Sequence, residues 1–169
     1  TNLEAMKPES IKVYRKNEFG FVVDGKPVTP DFRPDLHVRA DIKPLPDLPL
    51  RIGMDVGGGT LNPSAIMFQR NRRGAYLVLA EVVCRDMGIE NFGRQIKAEL
   101  ADRFPDHVRQ LESGDDDAII ATGDPAGRTR DEVYETVVFE HLHRACGVVV
   151  REAPSQDPKV RLDALRAPM

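Results

Sequence analysis

Asp55 closes the run "LRIGMDV" and is followed by Val56, Gly57, Gly58, Gly59 and Thr60. An acid at the end of a strand-like run, followed by a tight turn, suits two chemistries. The carboxylate can hold a hard divalent cation, or the glycines can bring backbone N–H groups close to a phosphate. A second acid, Asp124, closes the apolar run "AIIATGD" and also leads into a turn, Pro125-Ala126-Gly127. Adjacent carboxylates repel unless a cation lies between them. Such a pair can set two metals about 3.5–4 Å apart, one activating water and the other stabilising a leaving oxygen. Taken singly, an aspartate just past a strand more often caps a turn or a helix. The pair is better evidence than either member, provided the fold makes the two runs neighbours.

The pattern from Leu50 onward supplies that arrangement. "LRIGMDV", "PSAIMFQR" and "AYLVLAEVV" read as three strands, with "NRRG" as the hairpin turn between the last two. Short connections make them antiparallel neighbours. Ile89, Phe92, Ile96, Leu100 and Phe104 recur at helical spacing, and Pro105 ends that helix. "DHVRQLESGDDD" reads as a polar surface connection and "AIIATGD" as a fourth strand. "RDEVYETVVFEHLHRACG" predicts a helix with Val133, Val137 or Val138, Leu142 and Ala145 on one face, stopped at Gly147. "VVVREAP" is a fifth strand, and "DPKVRLDALR" opens a last helix. The order β-β-β-α-β-α-β-α predicts an α/β fold of ribonuclease H-like type. In it, three antiparallel strands are followed by parallel strands added through helical crossovers, with helices on both faces. Strands one and four would then lie side by side, and Asp55 and Asp124 would emerge at the same edge.

Residues 1–48 differ in character. Asp24-Gly25 between β-prone runs signals a hairpin, and the proline-rich stretch up to Pro49 must be extended or looped. They read as a hairpin and an arm preceding a domain over 49–169. The end of the chain, "RLDALRAPM", falls inside a helical pattern, as if a longer polypeptide continued.

Bulk composition narrows the possibilities. A 41% hydrophobic content supports a core, and a net charge of −3 gives no overall basic footprint for nucleic acid. Cys84 and Cys146 have no partner at metal-ligand spacing and read as buried thiols in a reducing compartment. No apolar run approaches the ~18 residues of a membrane span, so no membrane partner is expected.

"LPLRIGMDVGGGTLNPSAIMF", "AIIATGDPAGRTRDEVYETVVFEHLHRACG" and "VVVREAPSQDPKVRLDALRAP", in that order, resemble the C-terminal nuclease domain of the large terminase subunit of tailed bacteriophages. The likeness runs from about Phe32 to the end, and "GDPAG" and "DPKVRLDALRAP" are its most specific parts. It implies a magnesium- or manganese-dependent endonuclease that cuts concatemeric double-stranded DNA, with Asp55 and Asp124 as catalytic metal ligands. It also implies an ATPase domain in the same parent polypeptide, portal and small-subunit partners, and a bacterial cytoplasm. The glycine run after Asp55 departs from the family's aromatic-plus-glycine pattern. The family's third acid lies further downstream than Asp163, which reads as a helix-surface residue, so cleavage by this chain alone is expected to be weak or absent.

Two rival readings stand beside this one. "DVGGGT" also resembles the phosphate loops of actin-like and sugar-kinase ATPases, where backbone N–H groups and the Thr60 hydroxyl would hold phosphates. Alternatively, the chain is a non-catalytic DNA-holding module. Arg128 and Arg130 beside Asp124, and Lys159 and Arg161 near the last helix, are the candidate phosphate contacts. Arg70, Arg72 and Arg73 cluster at the hairpin turn, where each reads first as a solvated charge.

Overall fold

A computed structural model of the chain describes residues 32–56, 62–124, 137–155, 157 and 160. The chain divides into two compact units, residues 1–39 with Met169, and residues 40–168. In the first, a single helical turn, α1 (Pro34–His37), follows Arg33. The Arg33 guanidinium meets Asp35 at 3.0 Å, and the His37 ring stacks tilted on Phe32. The Asp24-Gly25 hairpin expected upstream lies outside the described residues.

The second unit is built on a five-stranded mixed sheet. Its strands are β1 (Leu50–Asp55), β2 (Ser64–Arg70), β3 (Tyr76–Val83), β4 (Ile119–Gly123) and β5 (Val150–Glu152), in the order β3-β2-β1-β4-β5. The first three run antiparallel, while β4 joins β1 and β5 joins β4 in parallel. Side chains of a strand alternate between faces, and here one set is apolar. Leu50, Ile52 and Met54 of β1, Ala65 and Met67 of β2, and Ile119 and Ala121 of β4 are buried. A bulge between Met67 and Phe68 leaves Leu79 without a cross-strand partner, so Leu79 and Ala80 are buried in succession.

Two longer helices cover that apolar face. Phe92, Ile96 and Leu100 recur every fourth residue on α2 (Ile89–Arg103), and α4 (Val138–Cys146) buries Phe139, Leu142 and Cys146. All of these join the strand residues in one core cluster. The helices touch where α2 carries Gly93: a Cβ there would lie 2.5 Å from the Cβ of Ala145. The opposite face of the sheet remains open where β2 and β3 show Ile66, Val78 and Val83, at 42%, 57% and 65% exposure. The described helices α2 and α4 therefore pack on one face, while helical coverage of the other, expected from the sequence, involves no described element.

Two local features differ from the sequence reading. "DHVRQLE" is helical, not a loop: α3 (Pro105–Glu112) begins at the proline that ends α2, because proline's fixed φ suits the first helical turn. It is held by buried His107 and by Val108 and Leu111 against the core. The helix expected over "RDEVYETVVFEHLHRACG" begins, in its described part, only after Val137, whose backbone is extended. Val133 and Tyr134 lie outside the described residues. Its stop at Gly147 is as expected, with a left-handed backbone (φ 81°) and an N–H donating to His143 O at 2.8 Å.

Buried Gln69 fastens the proline-rich approach to the sheet. Its Oε1 accepts from Leu45 N–H at 2.8 Å, and its Nε2 donates to Leu45 O at 2.8 Å and to Leu48 O at 2.7 Å. With both amide hydrogens spent there, the His107 Nε2 that lies 3.0 Å from Leu48 O is best placed to donate to that carbonyl as well.

Candidate functional site

The parallel pairing of β1 with β4 ends at Met54 opposite Gly123. One step further along each strand stand Asp55 and Asp124. Adjacent strands lie about 4.8 Å apart, and both acids line one cleft of about 450 Å³. The sequence thus brings together two residues 69 positions apart (124 minus 55). Asp55 is directly paired with Ser64 across the antiparallel β1–β2 ladder. Residues 56–63 therefore leave and re-enter the sheet at the edge where the acids stand. Gly57, Gly58, Gly59 and Thr60 lie outside the described residues.

Gly123 shapes this edge from beneath. A Cβ on it would come within 2.8 Å of the Phe139 ring, so only glycine lets α4 approach so closely. Buried Phe139 is the floor on which the strand leading to Asp124 rests. Thr122 and Ser64 add hydroxyls to the cleft wall, and Glu81 of β3 adds a carboxylate that the sequence reading did not single out. Its signal was present in "LAEVV", where a lone acid interrupts an apolar strand.

Other candidates fall elsewhere. Arg70, Arg72 and Arg73 sit at the β2–β3 turn, at the opposite end of β2 from Ser64. Across a seven-residue strand that is about 20 Å from the acids. There Arg72 pairs with Asp47, and Arg70 lies over the Tyr76 ring at 5.9 Å. Arg128, Arg130, Lys159, Arg161 and Asp163 all lie outside the described residues. Cys84 and Cys146 are free and buried, as read. Among the described residues no helix is long and apolar enough to cross a membrane.

The donor set at the edge, two carboxylates with hydroxyls beside them, fits a hard cation. Magnesium typically takes one or two protein carboxylates and completes its shell with water and substrate phosphate oxygens. A two-metal centre needs further acids. Glu81 stands across β2 from β1, and among the described residues no group of three or more His, Cys, Asp or Glu is arranged to hold a metal.

No family model matches the chain, and no curated protein does. Among solved structures it is similar to the PPX-GPPA enzyme of Aquifex aeolicus, at 16% identity and a TM-score of 0.32, over 63% of this chain and 36% of that one. It is similar also to an exopolyphosphatase-like protein, at 13% identity and a TM-score of 0.32, over 62% of this chain and 32% of that one. The match thus spans about a third of each of those proteins. Neither is described as a nuclease. The expectation of a DNA-cutting, two-metal endonuclease is corrected on this finding; the two carboxylates that the described site brings together suit a single cation.

Proposed function

We propose that this domain binds the phosphate chain of a nucleotide together with one divalent cation, as one lobe of an actin-like or sugar-kinase-type enzyme acting on phosphate bonds. The observation that carries this reading is the shared edge. Asp55 and Asp124 stand at the ends of adjacent parallel strands, and the glycine-rich run "VGGGTLNP" connects Asp55 to Ser64, its partner at that edge. By its composition that run would offer backbone N–H donors and the Thr60 hydroxyl to phosphate oxygens. Asp55 and Asp124 would hold Mg²⁺ or Mn²⁺, which when bound neutralises phosphate charge and polarises the phosphoryl group. Without the cation the two carboxylates would repel the phosphates. The residues of this chain thus bind and orient the phosphates and keep their cation at one point of the edge.

Calorimetric titration of the chain with ATP and with tripolyphosphate, with and without Mg²⁺, tests the reading. Binding should need the metal and should weaken at least tenfold in Asp55→Asn, the scale on which charge-assisted contacts act. Binding that is indifferent to both the metal and Asp55 would overturn it.

A further inference from the structure

Beyond the acids, the open face of the sheet continues as a strip of matched positions on β2 and β3. Three cross-strand pairs follow one another: Ser64 with Val83, Ile66 with Glu81, and Phe68 with Val78. Successive pairs on one face are about 6.8 Å apart, two residues of strand rise. The first pair lies beside Asp55, which is itself paired with Ser64. Glu81 is exposed, Ile66 and Val83 flank it, and all three line the cleft that holds Asp55 and Asp124.

Glu81 stands apart from the two aspartates. It lies two strands across from Asp55 and two residues along, about 12 Å between α-carbons, and among the described residues no group of three acids is arranged to hold one metal. Nor can it receive phosphate, since carboxylate and phosphate repel. A ligand that occupies both ends of the cleft must present phosphates at Asp55 and hydrogen-bond donors at Glu81. One level further, Phe68 is half-buried, with its ring edge-on to Tyr76 at 5.7 Å, next to exposed Val78. That is an aromatic and aliphatic surface on which a base can stack. Phosphate, hydroxyl-bearing sugar and base therefore match three consecutive levels of one hairpin.

We infer that Glu81 receives the sugar hydroxyls of a ribonucleoside polyphosphate whose phosphates lie at Asp55 and Asp124, and so selects nucleotides over inorganic polyphosphate. This rests on the phosphate-site reading above. Glu81 is a specificity residue here and takes no part in bond cleavage.

The test measures binding of ATP, 2′,3′-dideoxy-ATP and tripolyphosphate in Mg²⁺ to the chain and to its Glu81→Ala and Glu81→Gln variants. The residue is exposed, so both variants should fold, and circular dichroism checks that they do. Glu81→Ala should weaken ATP binding about tenfold or more, the scale of a hydrogen bond to a charged acceptor, and leave tripolyphosphate unchanged. Glu81→Gln should fall between. Wild type should prefer ATP to the dideoxy analogue, and Glu81→Ala should not. Equal loss for ATP and tripolyphosphate, or no loss for ATP, overturns the assignment. If tripolyphosphate binding depends on Asp55 while Glu81→Ala changes nothing, the sugar assignment alone falls. If neither compound binds wild type, the phosphate site falls and takes this inference with it.

Discussion

The edge that carries Asp55 and Asp124 depends on residues whose part is packing. Gly123 is one. Replacing it with alanine drives a methyl into the Phe139 ring, which a Cβ would approach to 2.8 Å. Overpacking of this kind costs about 1–3 kcal/mol, and the strand must shift where it delivers Asp124. Gly123→Ala should therefore lower the melting temperature and also weaken metal-dependent nucleotide binding, two readouts that a simple surface change would not couple. Normal binding by a destabilised variant would uncouple this packing from the site. Cys146 offers a separate test through pH. Burial pushes its thiol above the ordinary range, while backbone hydrogen bonding at Val148 and the charge of Lys97 pull the other way. In the unfolded chain the thiol ionises near its usual value of about 8.5, but in the fold it keeps its proton to higher pH. The unfolded state then binds fewer protons, so this contribution to stability is complete below about pH 8.5 and declines as pH rises toward the folded value. Urea unfolding between pH 7 and pH 10 should show that decline, and Cys146→Ala should flatten the slope even though its cavity lowers stability at every pH.

Among the elements, the contact of α2 with α4 is the one on which the helical layer turns. Both helices are amphipathic, yet their backbones come close only because Gly93 faces Ala145. Gly93→Ala would gain helix propensity of up to about 1 kcal/mol in isolation, but two methyl carbons cannot sit 2.5 Å apart. The helices must separate, and the net effect should be a loss of about 1–3 kcal/mol. Moving the methyl across the seam, as Gly93→Ala with Ala145→Gly, should recover much of that loss, because contacting residues couple by about 0.5–3 kcal/mol. Strict additivity of the two single changes in a denaturation cycle would show that the seam is not where the cost arises. The third helix shows how far pattern carries. Its apolar period in Phe104, Val108 and Leu111 is present in the sequence, but His107 fills the position between them. A histidine on that face reads as polar until Leu48 O is seen to accept from it at 3.0 Å.

For the whole molecule, the order of the strands was legible because each strand is an apolar or alternating run bounded by Gly, Pro or Asn. The short connections then left few ways to pair β1, β2 and β3. The side-by-side position of Asp55 and Asp124 followed from that topology alone. What the sequence could not decide was their chemistry, since an acid followed by glycines serves a metal and a phosphate equally well. Motif likeness resolved that ambiguity toward a nuclease, an expectation that the comparison with solved structures corrected. Gln69 was invisible for another reason: it stands at an apolar position of β2 and is fully buried, and only the tertiary path of residues 45–48 supplies its partners. Ligand linkage tests the proposed function at this scale. A ligand that binds only the folded chain stabilises it by RT ln(1 + [L]/Kd), about 2.7 kcal/mol at a hundredfold excess over Kd. For a chain of this size that corresponds to a rise in melting temperature of about 5–11 °C. ATP with Mg²⁺ should produce such a rise, and either component alone should produce little, because phosphates and carboxylates repel without the cation between them. Asp55→Asn should remove most of the rise, while Arg72→Ala, at the far end of β2, should leave it intact. A shift of equal size with Mg²⁺ alone would place the cation in the chain without any phosphate, and the nucleotide would lose its place at this edge.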